Sequence, residues 1–156
     1  MIPHLNGLLR RTNPVLAFLA GALCVLAMPP WNIMPVLIFG LGALYVLVTK
    51  APNKKSAFTR GWLFGFGYFL FGLSWIANAL LVEGNDYKWA WPLAVAGLPA
   101  LLAFFPAVII TAYRAFWQSI TLSSLLAFIV CLSLSEFLRG HLFTGFPWNL
   151  YGYTWS

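Results

Sequence analysis

The chain has 156 residues, of which 62% are hydrophobic, 18% aromatic and 8% charged, and its formal net charge is +6. A soluble domain carries about 45–50% apolar and about 25% charged residues, so this composition excludes a water-soluble domain of useful size and predicts an integral membrane protein. Nucleic-acid binding is excluded too, because the nine basic residues sit at the ends of apolar runs and form no stripe that could follow a phosphate backbone.

The expected fold is all-α. It is a single polytopic transmembrane domain over 1–156, with about five spans at 14–28, 33–48, 61–82, 92–113 and 122–135 and an outer interfacial segment over 136–156. Arg10 and Arg11 ahead of the run Val15 to Met28 also fit a signal peptide cleaved after Ala27. A second run, Ile33 to Val48, follows almost at once behind Pro29-Pro30-Trp31-Asn32, so the two runs read as a retained membrane hairpin. Leu23 stands where lipoprotein cleavage at Cys24 would need a small residue. Lys50 to Arg60 holds four basic residues and no acid, the strongest cytoplasmic-loop signal in the chain.

In the third span Gly61, Gly65 and Gly72 fall near one helical face, where another backbone could approach, and Asn78 could hydrogen-bond across a helix interface. The polar turn Glu83 to Lys88 holds two of the three acids, and Trp89 and Trp91 follow at the depth of an aromatic belt. Pro92, Pro99 and Pro106 recur at intervals of seven in the fourth span, which predicts a kinked helix whose proline face turns toward protein or a lipid-filled cleft. Seven of the nine basic residues fall on one side of the spans, placing the amino terminus in the cytoplasm and the end of the fifth span at the outer face. The last residues, Tyr-Gly-Tyr-Thr-Trp-Ser without a polar tail, read as a cut end.

Charge and aromatic rings converge in SEFLRGHLFTGFPWNLYGY, residues 135–153. Glu136 and Arg139 have the helical spacing of an ion pair. Two readings stand: a pair that fixes a helix end, or an arginine that holds an anionic headgroup or carboxylate while Glu136 orients it. Gly145, Pro147 and Gly152 break regular helix, and Thr144-Gly145-Phe146-Pro147-Trp148 should form a tight turn with bulky rings on its shoulders. His141 has no Asp, Ser or Cys at a spacing that would make it a base. Cys24 and Cys131 lie in spans without the partners for a bridge or a metal site, and are expected to be apolar filler.

The run Glu136-Phe137-Leu138-Arg139-Gly140, followed by Thr144 to Trp148 and then Tyr151-Gly152-Tyr153, resembles the amino-terminal membrane region of the apolipoprotein N-acyltransferase family. Leu26 to Trp31, Gly65 to Phe69 and Ser74-Trp75 agree with that resemblance, which covers essentially the whole chain. It implies an acyltransferase of the bacterial inner (cytoplasmic) membrane that uses no cofactor. Its partners would be a phospholipid acyl donor, a diacylated apolipoprotein that receives the acyl chain on its terminal amine, and membrane lipids. In the family the chemistry belongs to a nitrilase-like domain with a Glu-Lys-Cys triad, inserted before the last membrane span. Cys24, Cys131 and Glu136 do not match that triad, so the resemblance places no catalytic residue and no metal here and implies that this piece alone is inactive. It leaves Glu136, Arg139, Gly145, Phe146, Pro147 and Trp148 as substrate- or lipid-side candidates, with Gly61, Gly65, Gly72 and Asn78 for helix packing. The alternative is a free-standing membrane scaffold or lipid-binding module. A small transporter fits less well, because no carboxylate stands in a span away from the interface.

Overall fold

Every regular element among the described residues is helical. The computed structural model describes residues 3–83, 85–142 and 145–155, with side chains for 14–83, 85–142 and 145–154. The expected roles of the Arg10 and Arg11 side chains, of Gly84 in the polar turn, of Phe143 and Thr144 and of the Trp155 ring lie outside the described residues. In chain order the helices are α1 (Pro3–Cys24), α2 (Met34–Thr49), α3 (Lys54–Gly72), α4 (Ile76–Leu80), α5 (Trp91–Leu102), α6 (Phe104–Phe116) and α7 (Leu122–His141). Short 3-10 turns occupy Val25–Ala27, Lys88–Ala90 and Tyr151–Trp155.

Local chemistry explains where these helices differ from the expected spans. Asn53 Oδ1 accepts the Ser56 N–H at 2.8 Å, so α3 starts at Lys54, and Lys54, Lys55 and Arg60 stand on a helix instead of in a loop. The segment expected as one span over 61–82 ends as a helix at Gly72 and resumes only as the short α4. The fourth span is interrupted at Ala103, between Pro99 and Pro106. Neither proline has an N–H for the carbonyl four residues earlier, and Trp62 Nε1 donates to the Ala100 carbonyl at 3.1 Å in the last turn before the break. At α7, Thr121 and Ser124 cap each other reciprocally at 3.2 and 3.0 Å. That helix runs six residues past Ser135, so Glu136 and Arg139 are helical and the interfacial segment begins later than expected.

α3 is the central helix. On one side it crosses α1 at contact distance: a Cβ on Gly21 would strike the Phe64 carbonyl, and one on Gly67 would strike the Phe18 carbonyl. On the other side a Cβ on Gly61 would lie 3.1 Å from Ala107 Cα, and one on Gly65 would lie 2.8 Å from Pro106 Cγ. The small residues expected to admit a neighbouring backbone therefore admit the proline face of α6. Gly72 faces elsewhere, toward Val25 and the Asn149 side chain. Phe64, Tyr68, Leu44, Val48, Ile110 and Phe128 fill the interior.

Several buried polar side chains pair inside the bundle. Tyr45 OH lies 2.6 Å from Ser124 Oγ, and Thr49 Oγ1 lies 2.9 Å from Tyr113 OH. Arg60 donates to the Leu47 carbonyl in the last turn of α2, and Arg114 Nε donates to the Ala51 carbonyl at 3.1 Å. Large apolar side chains such as Phe39 (77% exposed) and Val130 (66%) point outward, the reverse of a soluble protein. Among the described residues two helical stretches are long and apolar enough to cross a bilayer, Lys88–Phe116 and Leu122–His141, while Pro14–Ala27 and Met34–Thr49 are apolar but shorter.

Candidate functional site

Arg139 organises the end of the bundle where α3 and α7 finish. Its side chain is 1% exposed. Nη1 donates to the carbonyls of Phe146 (2.9 Å) and Trp148 (2.7 Å), while Nη2 donates to Glu136 Oε1 (3.1 Å) and to the Asn149 carbonyl (3.3 Å). The guanidinium carbon lies 4.9 Å from the centroid of the Phe69 ring, and Nε has no partner among the described residues. Glu136 uses its other oxygen, Oε2, to accept the Tyr151 N–H at 2.9 Å.

Three carbonyls can converge on one guanidinium only if the loop curls back over the helix end. Gly145 (φ +72°) and Asn149 (φ +54°) supply the left-handed turns, and a Cβ on Gly145 would approach the Gly140 carbonyl to 2.6 Å. Phe146 N–H returns to the Arg139 carbonyl at 2.9 Å, and Tyr68 OH donates to the Asn149 carbonyl at 3.0 Å. Burial, followed by the nearby Glu136 carboxylate, holds the Tyr151 phenol well above its usual range, so it stays neutral. An unpaired charge in a spanning helix costs about 2.5–3.5 kcal/mol on insertion scales, and here a carboxylate, three carbonyls and a ring offset that cost.

Of the two readings of Glu136 and Arg139, this geometry fits the pair that ties a helix end to its loop. The guanidinium faces inward, and both Glu136 oxygens are engaged. Phe146 is half-buried, whereas Pro147 and Trp148 are exposed. Asn78 is exposed on α4. His141 Nδ1 lies 2.8 Å from the Phe137 carbonyl, which can only accept, so that nitrogen carries a proton. Cys24 is buried against Gly40.

Sequence reasoning missed Tyr68, Phe69 and Asn149. Their one advance signal is the physical need of a buried arginine for acceptors and of a nine-residue loop for an anchor.

Trp148 points away from the arginine and meets Trp75 edge-on, ring centroids 6.0 Å apart. With Trp31, Phe71 and Tyr153 they wall an open depression of about 740 Å³. A second groove, about 690 Å³, runs between α2 and α7 beneath Leu150 and Tyr151 and is lined by Leu41, Ile129, Leu132 and Phe137.

Apolar outward faces, spanning-length helices and a buried ion pair beneath an aromatic loop define an all-helical membrane-protein module. The chain belongs to the family described as the apolipoprotein N-acyltransferase N-terminal domain, which matches residues 20–156. It is similar to the apolipoprotein N-acyltransferase of Rhodopseudomonas palustris, 46% identical over 144 residues that cover 89% of this chain and 27% of the relative. The Agrobacterium fabrum protein of the same description is 43% identical over 151 residues, 91% of this chain and 28% of the relative. The Rhizobium meliloti protein is 44% identical over 145 residues, covering 87% and 27%. The chain thus spans little more than a quarter of the length of these relatives.

Proposed function

We propose that this chain is the membrane-embedded part of an apolipoprotein N-acyltransferase, an enzyme that moves an acyl chain from a phospholipid to the terminal amine of a diacylated apolipoprotein in the bacterial inner membrane. Its role is to anchor the enzyme and to shape lipid access, and the catalytic residues belong to a part of the enzyme outside these 156 residues. The observation that carries the reading is the family match over 20–156, joined to a buried Glu136–Arg139 pair that holds an aromatic loop at one end of the bundle.

In this reading five segments cross the membrane: α1, α2, α3 with α4, α5 with α6, and α7. Arg60 and Arg114 gather at the end where α2 finishes, and Arg139 lies at the other end of α3. That distribution supports a cytoplasmic amino terminus and an outward-facing aromatic loop. Trp62, Gly61 and Gly65 serve helix packing, and Phe146, Pro147 and Trp148 form the lipid-side surface.

The reading frame beyond codon 156 tests the assignment. Continuation into further apolar segments and a soluble domain with a cysteine nucleophile supports the enzyme; a stop codon with a stable membrane product supports a free-standing lipid-binding module. Orientation is read with cysteine probes in a background lacking Cys24 and Cys131. A membrane-impermeant thiol reagent supplied outside the inner membrane should label position 153 and spare position 54, and the reverse pattern overturns the topology.

A further inference from the structure

We infer that the depression walled by Trp31, Phe71, Trp75, Trp148 and Tyr153 seats the headgroup and glycerol region of an outer-leaflet phospholipid, and that Arg139 is the positioning residue that builds this seat. The inference rests on the proposed orientation. Three segments remote in sequence meet there: the turn after α1, the turn after α3, and the loop after α7. The first two are close because α1 and α3 cross at Gly21 and Gly67. The third is placed by Arg139, which turns the carbonyls of Phe146, Trp148 and Asn149 inward and so leaves the Trp148 indole outward, 56% exposed.

The lining chooses the occupant. Ser74 and Asn149 in the wall are neutral, and among the described residues no charged side chain lines it. Indole and phenol rings are amphipathic and favour the depth of glycerol esters and headgroups. Below the depression the wall continues as a file of rings along the α1–α3 seam: Phe71 to Phe18 (6.2 Å), Phe18 to Phe66 (6.2 Å) and Phe66 to Trp62 (5.1 Å). From Trp62 to Phe71 this file follows about 14 Å of helix, about the depth of one leaflet. An amphipathic mouth at the surface above an apolar track of leaflet length matches a phospholipid, whereas an unlipidated protein segment docking on the end of the bundle has no use for the track.

The test uses the protein expressed from its native reading frame, in vesicles of phosphatidylethanolamine and phosphatidylglycerol. A benzophenone amino acid replaces Trp31 at the rim, and a second probe at Phe39 on the outer face of α2 reports general contact with lipid. Irradiation should give a phospholipid adduct at position 31. Arg139→Gln should lower that adduct at least fivefold and leave the adduct at 39 unchanged, and Arg139→Lys should restore part of it. Trp148→Ala, which removes an exposed ring, should lower the adduct at 31 to a similar extent. In acyl-transfer assays Arg139→Gln should raise the KM for phospholipid about tenfold and change kcat less than twofold. An adduct at 31 that forms only with protein, that is unaffected by both substitutions, or a loss confined to kcat overturns the inference. Absence of any acyl transfer by the unsubstituted protein counts against the proposed function alone, because the adduct at 31 is read without turnover.

Discussion

Arg60 and Arg139 are both buried to within 2% of complete, near opposite ends of α3, and both leave Nε without a partner among the described residues. They are compensated differently. Arg60 meets the carbonyl of Leu47 at the end of α2, where the unpaired carbonyls of the last turn already carry partial negative charge. Arg139 has a full carboxylate beside it and three loop carbonyls besides. The first arrangement closes a helix that would form without it. The second creates backbone structure, since the curl of residues 145–151 has the guanidinium at its centre. Basic residues that a topology count treats as equivalent thus do unequal structural work.

The sharpest way to break this comparison is Arg139→Ala. It strands Glu136 without its counter-charge and takes a donor from three carbonyls, of which only that of Asn149 keeps another, the Tyr68 hydroxyl, so the loss should be about 3–5 kcal/mol, measured by thermal or denaturant unfolding in detergent. Glu136→Gln keeps one acceptor oxygen, so it retains either the guanidinium bond or the Tyr151 N–H bond and sets an NH2 donor against the other, but it leaves the loop carbonyls on Arg139 and should cost less than Arg139→Ala; equal losses would mean that the carbonyls contribute little. Arg60→Ala comes next, at about 1.5–3 kcal/mol for a charge-assisted bond to a helix end, and should leave protease sensitivity around residues 145–151 unchanged. Tyr68→Phe removes a single donor to the Asn149 carbonyl. It should cost about 0.5–1.5 kcal/mol and raise loop cleavage without disturbing the other end of the bundle. Asn78→Ala, at an exposed position remote from both arginines, should shift stability by less than about 0.5 kcal/mol.

Much of the bundle was legible in advance. The stretches near 33–48 and 122–135 are helical as α2 and α7, and the glycines at 61 and 65 meet the proline face of α6. Apolar runs and small residues state these features directly. The boundaries of α3 were less legible, because Asn53 and its cap outweigh the run of lysines that reads as loop. Gly21, Gly67 and Gly40 passed unnoticed as contact points, because spacing on one helix says nothing about which neighbour crosses it. At the candidate site, pattern gave Glu136 and Arg139 the spacing of an ion pair and 144–148 as a turn, and left open whether the two meet and whether the arginine faced a ligand or the protein.

The amino-acid sequence alone determined that this is an apolar, helical, membrane-seated chain with its one ion pair of helical spacing beside an aromatic turn. Hydrophobicity, helix period and turn chemistry are local properties, readable from each residue and its near neighbours. Only the tertiary structure decided that Arg139 looks inward, that Phe69 and the carbonyls of the loop receive it while Tyr68 holds the Asn149 carbonyl, and that Trp31, Trp75 and Trp148 share one surface. Those outcomes depend on the crossing of α1 with α3 and on a loop folding back over the end of α7, where groups up to about 120 positions apart in the chain line one depression.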